Sequence, residues 1–580
     1  MYKANRRHLQ PLLISSVSDL PEKHQQRLER SWAGVFYREA FCRLKEEPFA
    51  VLYDDQPSRP NIPVNVLVGL ETLKAGFGWS DEELYDHYVF DLQVRYALGY
   101  RDLKEGEFDV RTLYNFRRRL SRYNQEHGVN LLAQAFEDIT DQQISALGLQ
   151  TRVQRMDSTQ IASNIMDMSR LQLLVEAFQR LYRILSEADQ QRYQELFAPY
   201  LKVSSGQYTY GIKGKADTHR NIQQVGESME RVLRELPDRY QSEPVFQVFE
   251  RFFRDNFHLE AQQVRAKENG EISAGCLQSC DDLEASFRRK QEQEYKGYVA
   301  NLTETCAPNN PCQLITQVQV APNTAEDSDL MIAAIPSLKQ RMDLETLHTD
   351  GAYSSPEADP VLQQNQVELV PTAIKGRQPA SEKFGLAAYL FQVDEGGIPT
   401  QMTCPHEQVA GIRWGSKKGA LIADFEARAC ESCPFHKSGQ CRAKPGKRDK
   451  RYHLDFNLHE VQVARRRQAK DRQKQSGQNL RAAVEATVRT IKHPFPSGKL
   501  PVRGLFRVTS MIIGSALMGN IRSILRYKTA KLMNDRSQIA PRDGKTGSSE
   551  HTVGSFLQSL WLRVKASTRL FERPLSCFCC

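Results

Sequence analysis

The chain has 580 residues, 40% of them hydrophobic and 26% charged, with a formal net charge of +9. That length is too great for one hydrophobic core, so several domains are expected, of ordinary globular composition. The charge is uneven: residues 442–507 carry 18 Lys/Arg against five Asp/Glu, a surplus of +13 that leaves the rest about neutral to slightly acidic. Such a block is the electrostatic footprint of a polyanion, or else a solvated helix face with a mobile loop. The N-terminus has only a very short apolar run, so no signal peptide is expected. The longest apolar stretch, near Met511 to Met518, is far too short to span a bilayer. A cytosolic chain without a membrane partner is expected, in which 12 cysteines serve as thiols or metal ligands, not disulfides.

Residues 15–130 read as an all-helical N-terminal domain. Ser80 followed by Glu83 makes a capping box, and FDVRTLYNFRRRLSRY is amphipathic, with Arg117, Arg118, Arg119 and Arg122 crowded at its end. Those arginines either contact DNA or are solvated on a plain bundle. Residues 151–157 alternate and end at Asp157, which predicts a strand. From Ser169 the pattern turns to long charged helices, LQLLVEAFQRLYRILSEADQQRYQELF and PVFQVFERFFRDNF, a helical insertion over 169–294. Strand character returns in YKGYVANLTET and QLITQVQVAP. A helix follows, DLMIAAIPSLKQRM, then the strand LETLHTD ending at Asp350, and VELVPTA as a fifth strand. Residues 381–460 form a β-rich insertion holding a cysteine cluster. A helix is expected from about Asn479 to Lys492, stopped by Pro494 and Pro496. The apolar helix LFRVTSMIIGSALMGNIRSILRY should pack on the sheet, and 531–580 is a polar tail ending in Cys577, Cys579 and Cys580.

Three acidic residues stand out. Asp157 lies in TRVQRMDSTQIASN, Asp350 in LETLHTDGAYSS and Glu485 in NLRAAVEATVRTIK. Strands that deliver carboxylates at their ends, completed by a third from a helix, can build a metal site. On the helix, at 100° per residue, Arg481, Glu485 and Lys492 fall within about 40° of one face, with Arg489 close by. Val484, Val488 and Ile491 line the adjoining face. An isolated helical Glu is ordinarily solvated; the cations grouped with this one argue otherwise.

These contexts resemble the DDE transposases of bacterial insertion sequences, and the resemblance covers most of the chain. It implies a multidomain α+β chain with an RNase H-like core, formed by residues 150–168, 295–380 and 475–530, behind an N-terminal helical domain. It further implies that Asp157, Asp350 and Glu485 are catalytic and hold two Mg²⁺ or Mn²⁺ ions about 3.5–4 Å apart that cut and rejoin DNA. Asp157 would bridge both ions. Arg481, Arg489, Lys492, Arg465, Arg466, Arg467, Arg117 and Arg118 would contact double-stranded DNA, on which the protein acts as a homo-oligomer. The R-x3-E-x6-K run matches the latter part of the signature around the third acidic residue in one large transposase group. The tyrosine that precedes its arginine by three positions is here Gln478. Ser158, Thr159 and Asn164 either order the carboxylates or cap a turn. Gly351 would let substrate approach the backbone. Tyr353 stacks on a base or packs. LTETC, 302–306, reads as a strand end and not a site.

Cys404, Cys430, Cys433 and Cys441 include a C-x2-C unit with metal-ligand spacing, which suits a structural Zn²⁺ knuckle; His406 and His436 are spare candidates, and free thiols are the alternative. DGKTG at 543–547 lacks the upstream glycine of a phosphate loop, so no use of ATP is expected. The leading reading is a DNA transposase acting in the bacterial cytoplasm, associated with the nucleoid. A non-catalytic zinc-containing DNA-binding protein and an RNase H-like nuclease without strand transfer stand as alternatives.

Overall fold

The computed structural model describes residues 2–539, save 11–13, 55–59, 261–262, 291, 375–381, 395, 418, 447–449, 476, 478 and 482. Gln478, Lys447, Arg448 and the tail beyond 539, with its DGKTG run and three cysteines, lie outside the described residues. The chain divides into two units, Met1–Tyr527 and Lys528–Cys580. Of the second, only the last turns of one helix are described. The architecture of the first is mixed α+β.

The N-terminal part is helical, as composition implies: α1 (Val64–Phe77), α2 (Asp81–Phe90), α3 (Arg111–His127) and α4 (Leu131–Leu147). α2 opens at the expected capping box, the Glu83 N–H donating to Ser80 Oγ and the Ser80 N–H to the Glu83 carboxylate. α1 is apolar on nearly every side because it is buried along its whole length.

The principal sheet holds β1 (Val153–Ile161), β2 (Ser286–Lys290), β3 (Gln293–Thr305), β4 (Ile315–Pro322), β5 (Thr346–Thr349) and β6 (Glu368–Pro371). The order is β2-β3-β1-β5-β6, with β4 also paired to β3. β1, β3 and β4 run antiparallel in succession, and β1, β5 and β6 are parallel. Helix α8 (Asp327–Met342) makes the crossover from β4 to β5, the long connection a parallel pair requires. Residues 171–277 supply a separate aromatic-rich core, drawn from α5 (Arg170–Ile184), α6 (Lys215–Glu235) and α7 (Pro244–Asn256), whereas Ser286–Lys290, expected within the helical insertion, is a strand of the principal sheet. The predicted single helix over 171–197 is broken. It ends at Ile184, and Ser186 caps a new helix by accepting from the Asp189 N–H. A short hairpin, Phe257–Glu260 with Gln263–Ala266, also interrupts the expected all-helical character.

A second sheet follows: β7 (Leu390–Val393), β8 (Pro399–Thr403), β9 (Val409–Trp414), β10 (Ala420–Glu426) and β11 (Arg451–Asn457), with a third small core. Helix α9 (Leu458–Gln475) was not anticipated. Its buried residues are Val461, Ala464, Arg466 and Ala469, too few and too small for a legible apolar stripe. Helix α10 (Val484–Lys492) begins later than the predicted Asn479: Gly477 takes a left-handed φ of 67°, and Leu480, Arg481 and Ala483 lie in turns. The last helix, α11 (Leu505–Ile539), continues past Lys531, where a polar loop was expected. By length and composition its Leu505–Asp535 stretch could cross a membrane, so the expectation of no such segment fails; 67% of the most apolar window is buried inside the protein. Asn520 ties it to β4, accepting from the Ile315 N–H at 2.7 Å and donating to the Ile315 carbonyl at 2.9 Å. A Cβ on Gly514 would stand 2.8 Å from the Ala75 Cβ, so glycine permits the close approach of α11 to α1.

Candidate active site

The Asp157 strand does not end at Asp157. β1 runs on to Ile161, paired with β3 throughout, so the carboxylate projects from mid-strand opposite Leu302. The Ser-Thr-Gln run after it looks turn-like in sequence, but its backbone is satisfied by β3. Asp350 follows directly on β5 and accepts from the Ala352 N–H at 2.8 Å. β1 and β5 are adjacent parallel strands, so the sheet itself brings the two aspartates together.

Asp157 is buried, with 8% of its surface exposed. Burial pushes its carboxyl up, Arg481 opposes that, and the nearby Asp350 charge adds to the rise. Arg481 donates to Asp157 Oδ1 at 3.2 Å and lies 3.7 Å from Glu485 Oε1. One cation thus spans two of the three carboxylates, while its own Nε is buried with no partner. Glu485 sits in the first turn of α10 with its side chain 68% exposed. Arg489 is exposed; Lys492 is half-buried, which pushes its ammonium down. Among the described residues, no group of three or more His, Cys, Asp and Glu side chains stands ready to hold a metal ion.

One row below the carboxylates lies a feature that sequence reading missed. Arg155 stands in register with Glu304 on β3 and His348 on β5. The Arg155 guanidinium meets Glu304 Oε2 at 2.7 Å, and both side chains are buried. LTETC is therefore more than a strand end. Burial raises the Glu304 carboxyl, opposed by Arg155 and Thr487, and burial followed by Arg155 pushes His348 down to about 4. The available signal was the alternation itself: Arg155 and Asp157 share one face of β1, and a charged residue facing a covered sheet needs a partner.

Several assigned roles change. Tyr353 is fully buried and donates to Asn301 Oδ1 at 2.7 Å, so it packs. The close approach at Gly351 is made by the Ala373 carbonyl, 2.8 Å from where a Cβ would stand, and not by space for a substrate. Asn164 is exposed, and its backbone joins the chain after α10 through Val502. Arg117, expected to contact DNA, is half-buried and ion-paired. It meets Glu71 at 2.7 Å and both Asp81 oxygens at 2.7 and 2.9 Å, joining α1, α2 and α3. Arg118 remains exposed beside Asn115. Arg466 is likewise withdrawn, buried and ion-paired with Asp359. Arg465 and Arg467 are half-buried on α9, Arg465 lining a cleft of about 960 Å³ beside β6.

Cys430 lies in the second sheet's core with Cys404 and Cys441 packed against it, and Cys433 is buried near enough to act on Cys430. Cys404 sits in the β8–β9 turn, donating to Gln408 O at 2.9 Å while its carbonyl accepts from Glu407, which takes a left-handed φ of 57°. Cys433 N–H donates to Cys430 O, and Cys441 N–H to Phe435 O. Burial first, then Cys441, Cys404 and Cys433, pushes the Cys430 thiol up to about 11. His406 and His436 instead make edge contacts with Phe435 and Tyr452. All nine cysteines among the described residues are free of disulfides.

Residues 403–525 match the family described as "Transposase DDE domain". The matched segment runs from the end of β8 through all four clustered cysteines, α9 and Glu485 into α11. It leaves out Asp157 and Asp350. Neither the curated proteins nor the solved structures hold a match to this chain.

Proposed function

We propose that this chain, a DDE transposase by its match over residues 403–525, binds insertion-sequence ends, cuts phosphodiester bonds there and joins the freed 3′-hydroxyl to target DNA. The observation that supports the reading is the approach of Asp157 on β1, Asp350 just beyond β5 and the Glu485 helix, with Arg481 between Asp157 and Glu485. An RNase H-like core is supported by the sheet: three antiparallel strands, a crossover helix, then two strands parallel to the first.

The donor set fits Mg²⁺ or Mn²⁺. It is all carboxylate oxygen, and burial followed by the nearby Asp350 charge raises the Asp157 carboxyl, a rise that a bound cation would offset. Asp157, Asp350 and Glu485 would hold two such ions, which supply an activated water and a stabilised leaving oxygen. The protein's own groups position the substrate. Arg481 opposes the burial that disfavours the Asp157 carboxylate. Arg489 and Lys492 follow one and two turns on and would meet phosphates, fixing register without reading bases. Arg118, Arg465 and Arg467 extend the basic surface. The protein would act in the cytoplasm at the nucleoid, as a homo-oligomer on DNA and without ATP.

The four cysteines would hold a structural Zn²⁺. Burial, and then three neighbouring thiols, raise the Cys430 thiol, and a bound cation would favour the thiolates against both. Elemental analysis should find about one zinc per chain by the four-ligand rule. Cys433→Ser should lose it and loosen residues 400–445 first; metal-free protein that stays folded makes these ordinary thiols.

The decisive experiment incubates the purified protein with Mg²⁺ and DNA carrying its own element's ends. Cut and joined products, absent in EDTA and indifferent to ATP, are expected. Cutting without joining would identify a nuclease. Binding without cutting would identify a non-catalytic DNA-binding protein.

A further inference from the structure

Arg155, Glu304 and Thr487 make a closed set of contacts that the reaction as proposed does not use. Arg155 Nε donates to Glu304 Oε2 at 2.9 Å, and its other arm donates to the Leu480 carbonyl at 2.8 Å. Thr487 Oγ1 donates to Glu304, 3.0 Å from each carboxylate oxygen. Arg155 and Glu304 are exposed by only 8% and 7% of their side chains. They form a cross-strand pair in register on β1 and β3.

The geometry is specific to one neighbour. Arg155 holds the chain five residues before Glu485, and Glu304 holds it two residues after. Two helical steps rotate a side chain by about 200°, so Thr487 and Glu485 leave α10 on opposite sides. That agrees with the half-buried Thr487 and the exposed Glu485. α10 has only nine residues and little of its own to fix its rotation: Val484 and Ile491 are its buried residues. A buried ion pair is also a costly way to gain stability, since apolar residues of equal volume serve as well. Its yield here is orientation.

We propose that Arg155, Glu304 and Thr487 are positioning residues that lock the Glu485 segment to the sheet on both sides of the carboxylate and so set where it stands relative to Asp157. The proposal rests on the reading of Glu485 as a metal ligand. Their contacts run to one another and to the Leu480 carbonyl, so they would act through the helix.

Thr487→Val keeps the shape and removes the hydroxyl, while Thr487→Ser keeps the hydroxyl. Three measurements decide: Mn²⁺ binding by electron paramagnetic resonance, hydrogen exchange of residues 480–492, and cleavage across a Mg²⁺ titration. Thr487→Val should weaken Mn²⁺ binding by about 10–100-fold, the usual cost of losing a group that orients a ligand. It should raise the Mg²⁺ needed for half-maximal cutting in proportion and speed exchange in α10 but not in β1 or β3. Thr487→Ser should restore all three. Glu304→Gln should resemble Thr487→Val; if it fails to fold, the threonine pair still decides. Wild-type exchange in α10 together with wild-type Mn²⁺ affinity in Thr487→Val overturns the lock. If the unaltered protein binds no Mn²⁺, the metal reading falls instead, and the exchange of α10 alone decides whether the lock exists.

Discussion

Two arginines that look alike in the sequence, Arg117 and Arg481, do different things in the folded chain. Arg117 is saturated. It meets both oxygens of Asp81 and one of Glu71 at 2.7–2.9 Å, and Lys74 adds a bond to Asp81 at 2.6 Å. Burial works to raise the Asp81 carboxyl, but Arg117 and Lys74 outweigh it and hold it down at about 2. Arg481 is unsaturated: one bond of 3.2 Å, one approach of 3.7 Å and a buried Nε without a partner. Burial prevails there, and the Asp157 carboxyl goes up. A structural ion pair closes its own account; a site for chemistry keeps charge unbalanced until substrate and metal arrive.

The sharpest way to break that comparison is to neutralise the unbalanced charge. Asp157→Asn should lower strand cutting at least about a thousandfold, since metal-borne stabilisation is worth several kcal/mol and each 1.36 kcal/mol is tenfold. Gel-shift affinity for DNA should stay, because phosphate contacts supply it. A variant that still cuts would remove Asp157 from the site.

Exchanging the arginines one at a time tests the contrast directly. Arg481→Met should lower cutting by about a hundredfold, the scale of losing one preorganised cationic donor, while the urea midpoint hardly moves. Arg117→Met should do the reverse. It breaks a partly buried network with side chains 14–30% exposed, so the loss is discounted from the fully buried case to about 2 kcal/mol. Cutting well below the transition should be unchanged. Equal stability losses in both variants would mean that Arg481 is simply another structural pair.

The pH dependence of the second exchange has a definite sign. The Asp81 carboxyl is depressed in the folded chain, so its contribution is present above the ordinary value near 3.8 and lost as pH falls through about 2. The stability gap between wild type and Arg117→Met should therefore be constant from pH 7 to about 4 and narrow only below it. Urea titrations at pH 6, 4.5 and 3.5 would reveal this; a gap that closes already between pH 7 and 5 would assign the effect to another group.

What the sequence made legible follows the same division. The acidic contexts, the capping box at Ser80 and the strands around Asp350 are local signals, and each appears where local chemistry put it. The pairing of Arg155 with Glu304 was hidden because it depends on register between strands 149 residues apart. The end of β1 was misjudged because Ser158 and Thr159 resemble turn residues when the partner strand is unseen. Helix α9 escaped because its charges outnumber its small apolar contacts, and Arg117 was read as a surface charge because Asp81 and Glu71 reach it from other helices.

The smallest effect concerns which cations meet DNA. Each phosphate neutralised releases condensed counterions, so log affinity falls with log salt by about 0.9 per contact on B-DNA. Arg489 is exposed one turn after Glu485 and makes no ion pair among the described residues, so nothing within that part of the fold competes for it. Arg489→Ala should thus reduce the slope by about one contact, uniformly across DNA sequences, because a phosphate contact carries no base information. Arg117→Met should leave the slope alone, its charge being spent on Asp81 and Glu71. Arg118→Ala separates the remaining cases. If it lowers the slope as Arg489→Ala does, α3 lies on the DNA through its exposed face while Arg117 holds the helix in place. If Arg118→Ala lowers it and Arg489→Ala does not, the helical N-terminal region carries a phosphate contact and Arg489 carries none. The assignment of Arg489 to the substrate would then fall, leaving Arg481 and Lys492 as the only cations of that segment still to be tested at the site.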